Sequence, residues 1–310
     1  MSRSTSTGPS DAEGRPDLSV VVVAYNSREH LPACLSALPA AAGGLRLETI
    51  VVDNASQDGT SAWVRREHPQ AHVLQNPENR GFAAAVNQGA REACGTALLL
   101  LNPDAVPGPG SLERLWEALQ AGGSVVGPQL LDPDGSPQPS AWRAPGLGSV
   151  LFEALLVHNL WPRSRYHHVT LSSGRPWEAV ECLSGACLLV RRTVFLELGG
   201  LDEGFFLYHE DFDFCLRARA AGHPVWAVPG ARVTHELGGS AFRDRGEFLL
   251  RYHESRLRLL RMHHPGRAGN ALAALHLRGL GLRRLLCAVA GRRSEAASLA
   301  HAVRRLRGAP

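Results

Sequence analysis

The apolar positions of the chain fall into two spacings. Continuous runs rich in Val and Leu occupy Leu18–Ala24, Thr49–Val52, Ala71–Leu74 and Ala97–Leu101. Runs without polar alternation are the pattern of parallel strands buried on both faces. Between them lie segments of helical length, about Ser27–Leu38, Asp58–Glu67 and Phe82–Ala93. Strand and helix alternating in this way predict consecutive right-handed βαβ units, an α/β Rossmann-like fold with a mostly parallel central sheet. Such sheets bind ligands beyond the carboxyl ends of their strands. The polar residues directly after the apolar runs therefore matter most: Tyr25-Asn26, Asp53-Asn54, Asn76 to Gly81, and Asn102-Pro103-Asp104.

Regularity fades over residues 132–181, which are rich in Pro, Gly, Trp and His and read as a long loop or an insertion on the acceptor side. It returns with a strand at Ala186–Val190, a helix around Glu210–Ala220 and a strand at Val225–Val228, and from Ala241 the pattern is helical and arginine-rich. The 310 residues thus divide into a leader at 1–16, one α/β domain at 17–240 and a basic helical region at 241–310. The leader is Ser/Thr/Gly/Pro-rich, lacks the apolar stretch of a signal peptide, and is expected to be disordered on a cytoplasmic protein. No uncharged run is long enough to span a bilayer.

Six cysteines are scattered without Cys-x-x-Cys spacing, so buried thiols are expected in place of zinc or disulfide frameworks. Charge adds a partner. Residues 241–310 carry 15 Arg against 4 acids while the whole chain has a net charge of +4, so an acidic body bears a basic tail. Leucines mix with these arginines over residues 249–260 and again over 275–286. That composition fits an interfacial helix on an anionic membrane surface, with packing on the domain as the alternative for residues 245–264. Nucleic acid is disfavoured because residues 270–310 contain no aromatic side chain to stack on bases.

Three clusters carry candidate chemistry. Asp104 stands at the mouth of the sheet, where a hard oxygen ligand suits Mg²⁺ or Mn²⁺, although Asn-Pro-Asp is also simply a good turn. His209-Glu210-Asp211-Phe212-Asp213 opens a helix. Its acids suit the helix dipole, but a general base for a hydroxyl must also be a carboxylate or imidazole, and Asp211 is the candidate. His235 ends a short apolar segment, where it is either structural or a second metal ligand beside Asp104.

Together these segments resemble the family 2 glycosyltransferases of GT-A fold, and within them the rhamnosyltransferase-like and galactofuranosyltransferase-like enzymes. The resemblance is carried, in order, by LSVVVVAYNSREHLPACLSAL at Leu18–Leu38, VVDNASQDGT at Val51–Thr60, NPENRGFAAAVNQG at Asn76–Gly89, LLLLNPDAV at Leu98–Val106 and the stretch Ser184–Ser240, and it spans about residues 17–264. It implies that Asp53 recognises the base of a nucleoside-diphosphate sugar and that Asn79, Arg80 and Gly81 border the nucleotide, with Asn26 and Asn102 also on the donor side. Asp104 resembles the last residue of the family's Asp-x-Asp metal motif, whose first position is here Asn102. His235 resembles its partner on the metal, and Asp211 the catalytic base, with Glu210, Asp213 and Gly185 nearby or facing the acceptor. The implied reaction is inverting, metal-dependent transfer of a sugar, rhamnose first among the choices, to a hydroxyl of a glycan or glycolipid, at the inner face of the plasma membrane.

Other functions fit less well. A nucleotidyltransferase would need a Gly-rich phosphate loop after the first strand, and a processive synthase would need membrane spans and a Gln-x-x-Arg-Trp segment. An inactive sugar-nucleotide-binding module would lack Asp104, Asp211 or His235, all of which are present.

Overall fold

A computed structural model describes residues 14–155, 168–172, 174–236 and 245–308. Most of the leader, and part of the insertion around residue 160, lie outside the described residues. The first half alternates as the apolar runs predict: β1 (Leu18–Ala24), α1 (Leu31–Ala42), β2 (Leu47–Asp53), α2 (Thr60–Glu67), β3 (His72–Gln75), α3 (Phe82–Glu92) and β4 (Ala97–Leu101). β1 pairs in parallel with β2 and β4, and β2 with β3. Alternate residues of β1 serve opposite layers. Val20 and Val22 pack with α1 and with Leu112 and Leu115, whereas Val21 and Val23 pack with α3. Burial on both faces is why the strand reads as an unbroken apolar run.

The second half departs from simple repetition. It contains β5 (Ala105–Pro107), α4 (Ser111–Gln120), β6 (Val125–Leu131), β7 (Ala141–Trp142), α5 (Leu147–Ala154), β8 (Glu178–Ala179), β9 (Cys182–Leu183), β10 (Cys187–Arg191), α6 (Arg192–Glu197), α7 (Glu210–Ala220) and β11 (Val225–His235). Among the described residues the sheet has nine strands in the order β3-β2-β1-β4-β10-β6-β11-β5, with β8 also on β11. β10 runs antiparallel to both β4 and β6. With Cys187 opposite Leu101, the turn before β10 meets the residues that follow β4. β11 is one long strand with a register shift between Val228 and Arg232, where Pro229 lacks a backbone N–H, and its far end pairs His235 with Ala105.

Three helices complete the chain: α8 (Arg245–His263), α9 (Arg267–Val289) and α10 (Arg293–Gly308). They share a core of Leu249, Leu250, Leu257, Leu280, Leu299 and Leu306. Much of the leucine content of the tail is therefore spent on packing these helices together. What stays exposed is a row late in α9: Leu282, Leu285, Leu286 and Val289. All six cysteines are free, five of them buried, while Cys94 is exposed.

Candidate active site

The donor side is built from loops tied across strand ends. Asn26 has φ 51°, and its Oδ1 accepts from Gln57 N–H at 2.8 Å while its own N–H donates to Ser56 Oγ at 2.8 Å. Asp53 is fully buried, and its carboxylate accepts from Ser56 N–H at 2.8 Å and from the Ser61 hydroxyl. What the structure shows for Asp53 is a carboxylate that shapes the loop from inside. Asn54 joins this loop to the next: its Nδ2 donates to Asn79 Oδ1 (2.9 Å) and Gly81 O (3.1 Å), and its Oδ1 accepts from Asn76 Nδ2 and Arg80 N–H. Gly81 has φ +83°, and a Cβ there would lie 2.7 Å from Phe206 O, so only glycine fits. Arg80 keeps an exposed side chain at this edge.

The candidate metal ligands meet through β11. Since His235 pairs with Ala105, its ring lies beside Asp104, with Nε2 3.5 Å from Oδ1 and both residues buried. Gln138 sets the tautomer. Its Nε2 donates to His235 O (3.2 Å) and Asp132 Oδ1 (2.8 Å), which leaves Oε1 to accept from His235 Nδ1–H at 2.9 Å. In the neutral ring this puts the lone pair at Nε2, on the side of the Asp104 carboxylate. Two electron-pair donors turned toward each other suit a shared cation, and a hydrogen-bonded outer partner is how metal-bound histidines are held.

Asp211 lies in the first turn of α7, after two consecutive left-handed residues, Tyr208 (φ 69°) and His209 (φ 66°). Such conformations cost about 1–3 kcal/mol each and persist only where the surroundings enforce them. Here α8 does so: Tyr252 packs against both rings, Ser255 Oγ donates to Leu207 O at 2.8 Å, and Arg258 pairs with Asp202 at 2.6 Å. Asp211 Oδ2 accepts from Gly185 N–H (2.7 Å) and Oδ1 from Phe212 N–H (2.8 Å). Burial pushes its pKa up, opposed by those two N–H donors. Glu210 is buried with no partner on Oε2, and burial plus the neighbouring Asp211 charge push it well above the carboxylate range. Burial and the Asp211 charge thus favour the protonated form of Glu210, while the two N–H donors on Asp211 favour its charged form. Asp213 does not join them. It is fully buried between Arg217 Nε (2.8 Å) and His263 Nε2 (2.9 Å), tying α7 to α8.

One turn unites the two halves. Gly185 donates to Asp211, and its neighbour Ala186 accepts from Asn102 N–H at 2.9 Å, two residues from Asp104. The partly buried Tyr208 phenol feels both Glu210 and Asp104, which add to burial in raising its pKa. Asp104, His235, Asp211 and Gly185 are thus brought to one end of the sheet, with Asn26, Asn79 and Arg80 along the same strand ends. Sequence reasoning named Asn54 without giving it a role and missed Gln138, which lies in a segment without periodicity.

The fold has counterparts among known proteins. The chain matches the model of Glycosyl transferase family 2 over residues 19–199 and belongs to that family; it is a glycosyltransferase. Among its relatives is the N-acetylglucosaminyl-diphospho-decaprenol L-rhamnosyltransferase of Mycobacterium tuberculosis, 36% identical over 269 residues, which are 80% of this chain and 85% of that one. The low-salt glycan biosynthesis hexosyltransferase Agl10 of Haloferax volcanii is 28% identical over 66% of this chain and 62% of its own length. The solved mannosyltransferase PcManGT from Pyrobaculum calidifontis, in complex with GDP-Man and Mn²⁺, shares the fold, with a TM-score of 0.57 and 18% identity over 93% of this chain and 85% of its own.

Proposed function

We propose that the chain moves rhamnose, with inversion, from a nucleoside diphosphate to a hydroxyl of a lipid-linked cell-envelope glycan. The observation that carries this reading is the Gly185-Ala186 turn, which holds the base Asp211 against the strand end that bears Asp104. The donor lies across the ends of β1 to β4, bordered by Asn26, Asn79, Arg80, Gly81 and Asn102 and by the loop that Asp53 shapes. Asp104 and His235 would hold a Mg²⁺ or Mn²⁺ ion, which stabilises negative charge on the departing diphosphate. Among the described residues no group of three or more His, Cys, Asp or Glu side chains could hold a metal, so phosphate oxygens and water supply the remaining ligands.

Asp211 accepts the acceptor's hydroxyl proton as that oxygen bonds to the anomeric carbon and the bond to the diphosphate oxygen breaks. A single displacement needs no second nucleophile. The test is incubation with thymidine-diphosphate-rhamnose and a short-chain sugar-diphosphate lipid, with the product's anomeric configuration read by NMR. Inversion is expected, and retention would overturn the single displacement.

The sugar and acceptor follow the mycobacterial relative, whose name states both. A lipid acceptor needs a membrane, and the exposed Leu282, Leu285, Leu286 and Val289 stand among Arg278, Arg283, Arg284, Arg292 and Arg293. No helix among the described residues is long and apolar enough to cross a bilayer. We place this face on the anionic inner surface of the plasma membrane, where each arginine contributes about 1 kcal/mol. The double variant Leu285→Glu, Leu286→Glu is expected to lose co-sedimentation with anionic vesicles while keeping its melting temperature. Unchanged binding, or equal binding to neutral vesicles, sinks this placement.

A further inference from the structure

A cavity of about 310 Å³ lies between the insertion and the C-terminal helices, directly beside the base. His209 and Phe212, which flank Glu210-Asp211 in sequence, form part of its wall, and Trp142 packs edge-on against Phe212 at 5.4 Å. Its charge is lopsided, with Arg143, Arg256 and Arg283 against the single carboxylate of Glu153. Arg256 donates to Glu153 at 2.7 Å, and Arg283 pairs with Glu295 at 3.0 Å, whereas Arg143 is exposed.

Three polar atoms in this wall are buried without a hydrogen-bond partner: His209 Nε2, His253 Nε2 and Arg256 Nε, on residues only 5–6% exposed. Burial pushes His253 down to about 3, so its ring is neutral, and its Nδ1 is engaged with His276 Nε2 at 3.1 Å. Buried polar groups are nearly always satisfied, and three orphans around one cationic cavity, of which Arg256 Nε can only donate and the two imidazole nitrogens donate in one tautomer, fit a polar occupant with acceptor oxygens. Phosphate esters answer that description, and guanidinium groups suit them.

The wall also fixes what else the occupant carries. α5 and α9 cross so closely that a Cβ on Gly279 would lie 2.5 Å from Ala154 Cα, and both residues line the cavity. The same two helices bear exposed leucines, Leu147 and Leu151 on one, with Leu155 directly after it, and Leu282, Leu285 and Leu286 on the other. A phosphate group entering here can therefore trail an apolar chain over them.

We propose that this cavity binds the diphosphate of a sugar-diphosphate lipid acceptor through Arg143, Arg256, Arg283 and His253, so that the attached sugar presents its hydroxyl to Asp211. This site rests on the transfer reaction proposed above and assigns residues to its acceptor. Phospholipid headgroups share the phosphate chemistry, so the experiment separates the two sources.

Full-length protein is titrated calorimetrically, without donor, with N-acetylglucosaminyl diphosphate bearing a short prenyl tail. The wild type is expected to bind. Arg143→Gln and Arg283→Gln, one exposed and the other leaving Glu295 still paired with Arg292, should each weaken binding about tenfold or more, the effect of losing one charge-assisted contact. Stabilisation by the nucleotide alone should not change in either variant. Binding in both variants equal to wild type, or no binding by wild type, overturns the site. Full displacement of the probe by anionic phospholipid vesicles reassigns the cavity to headgroups and also overturns it. Donor hydrolysis, followed in parallel, reports separately on the catalytic reading.

Discussion

Asp211→Asn is expected to lower kcat by about 10²–10⁴-fold and to leave nucleotide-sugar affinity unchanged, because it removes a proton acceptor while keeping the side-chain shape. The amide oxygen can still accept from Gly185 N–H, as Oδ2 does at 2.7 Å, while the amide nitrogen gives up only the acceptance from Phe212 N–H. Glu210→Gln provides the counterpart. Since burial and the Asp211 charge favour the protonated form of Glu210, the neutral amide resembles the form they favour, and the loss should stay within about tenfold. The pH profile separates the two as well. A raised Asp211 pKa means that the base becomes protonated, and kcat falls, at a pH above the ordinary aspartate range; Asp211→Asn should lack that acid limb. Single-turnover transfer with donor binding measured by calorimetry checks this. An Asp211→Asn enzyme with most of its kcat would transfer the base assignment elsewhere.

Removal of divalent metal is the second large effect. Excess chelator should abolish transfer, and Mg²⁺ or Mn²⁺ should restore it. Asp104→Ala and His235→Ala should each weaken metal-dependent nucleotide binding. A subtler variant tests the geometry: Gln138→Leu removes the acceptor that holds Nδ1–H, freeing the ring to turn or change tautomer, and should cost about 10–100-fold in metal affinity. Full activity in chelator would instead leave arginines to offset the diphosphate charge, and Arg80 would be the first to replace.

The part of this fold that follows the chain locally was legible. β1 to β4 and the helices between them announce themselves because strands buried on both faces must be continuously apolar, and the polar residues after them sit where parallel sheets place ligands. Asp104 and His235 stood out by ending apolar segments and Asp211 by opening a helix, and the structure places His235 beside Asp104 and Gly185 on Asp211. The antiparallel insertion of β10 was not legible, because its five residues look the same in either direction; yet it is what carries Gly185 to Asp211. Gln138 was hidden for another reason. Its role depends on a contact with His235, 97 residues away, and nothing in the composition of its own segment records that. The interior positions of Asp53 and Asp213 were equally silent, since a carboxylate that shapes a loop and one that meets a ligand are the same letter. The tail gave its helices and its charge, but not how many of its leucines face one another.

The brace that α8 lends to Tyr208 and His209 makes the two ends of the gene unequal partners in recombination. The family match stops at residue 199, before Asp211, while the segment that leads into Asp211 interlocks with Tyr252, Ser255 and Arg258. A crossover ahead of Gly185 exchanges the loops after β1 to β4 and keeps the Gly185–Asp211 hydrogen bond. A crossover between 236 and 245 separates a strained turn from the helix that enforces it. Chimeras are therefore expected to stay folded when residues 185–308 move as one block, and to lose stability when the join falls between the strained turn and α8.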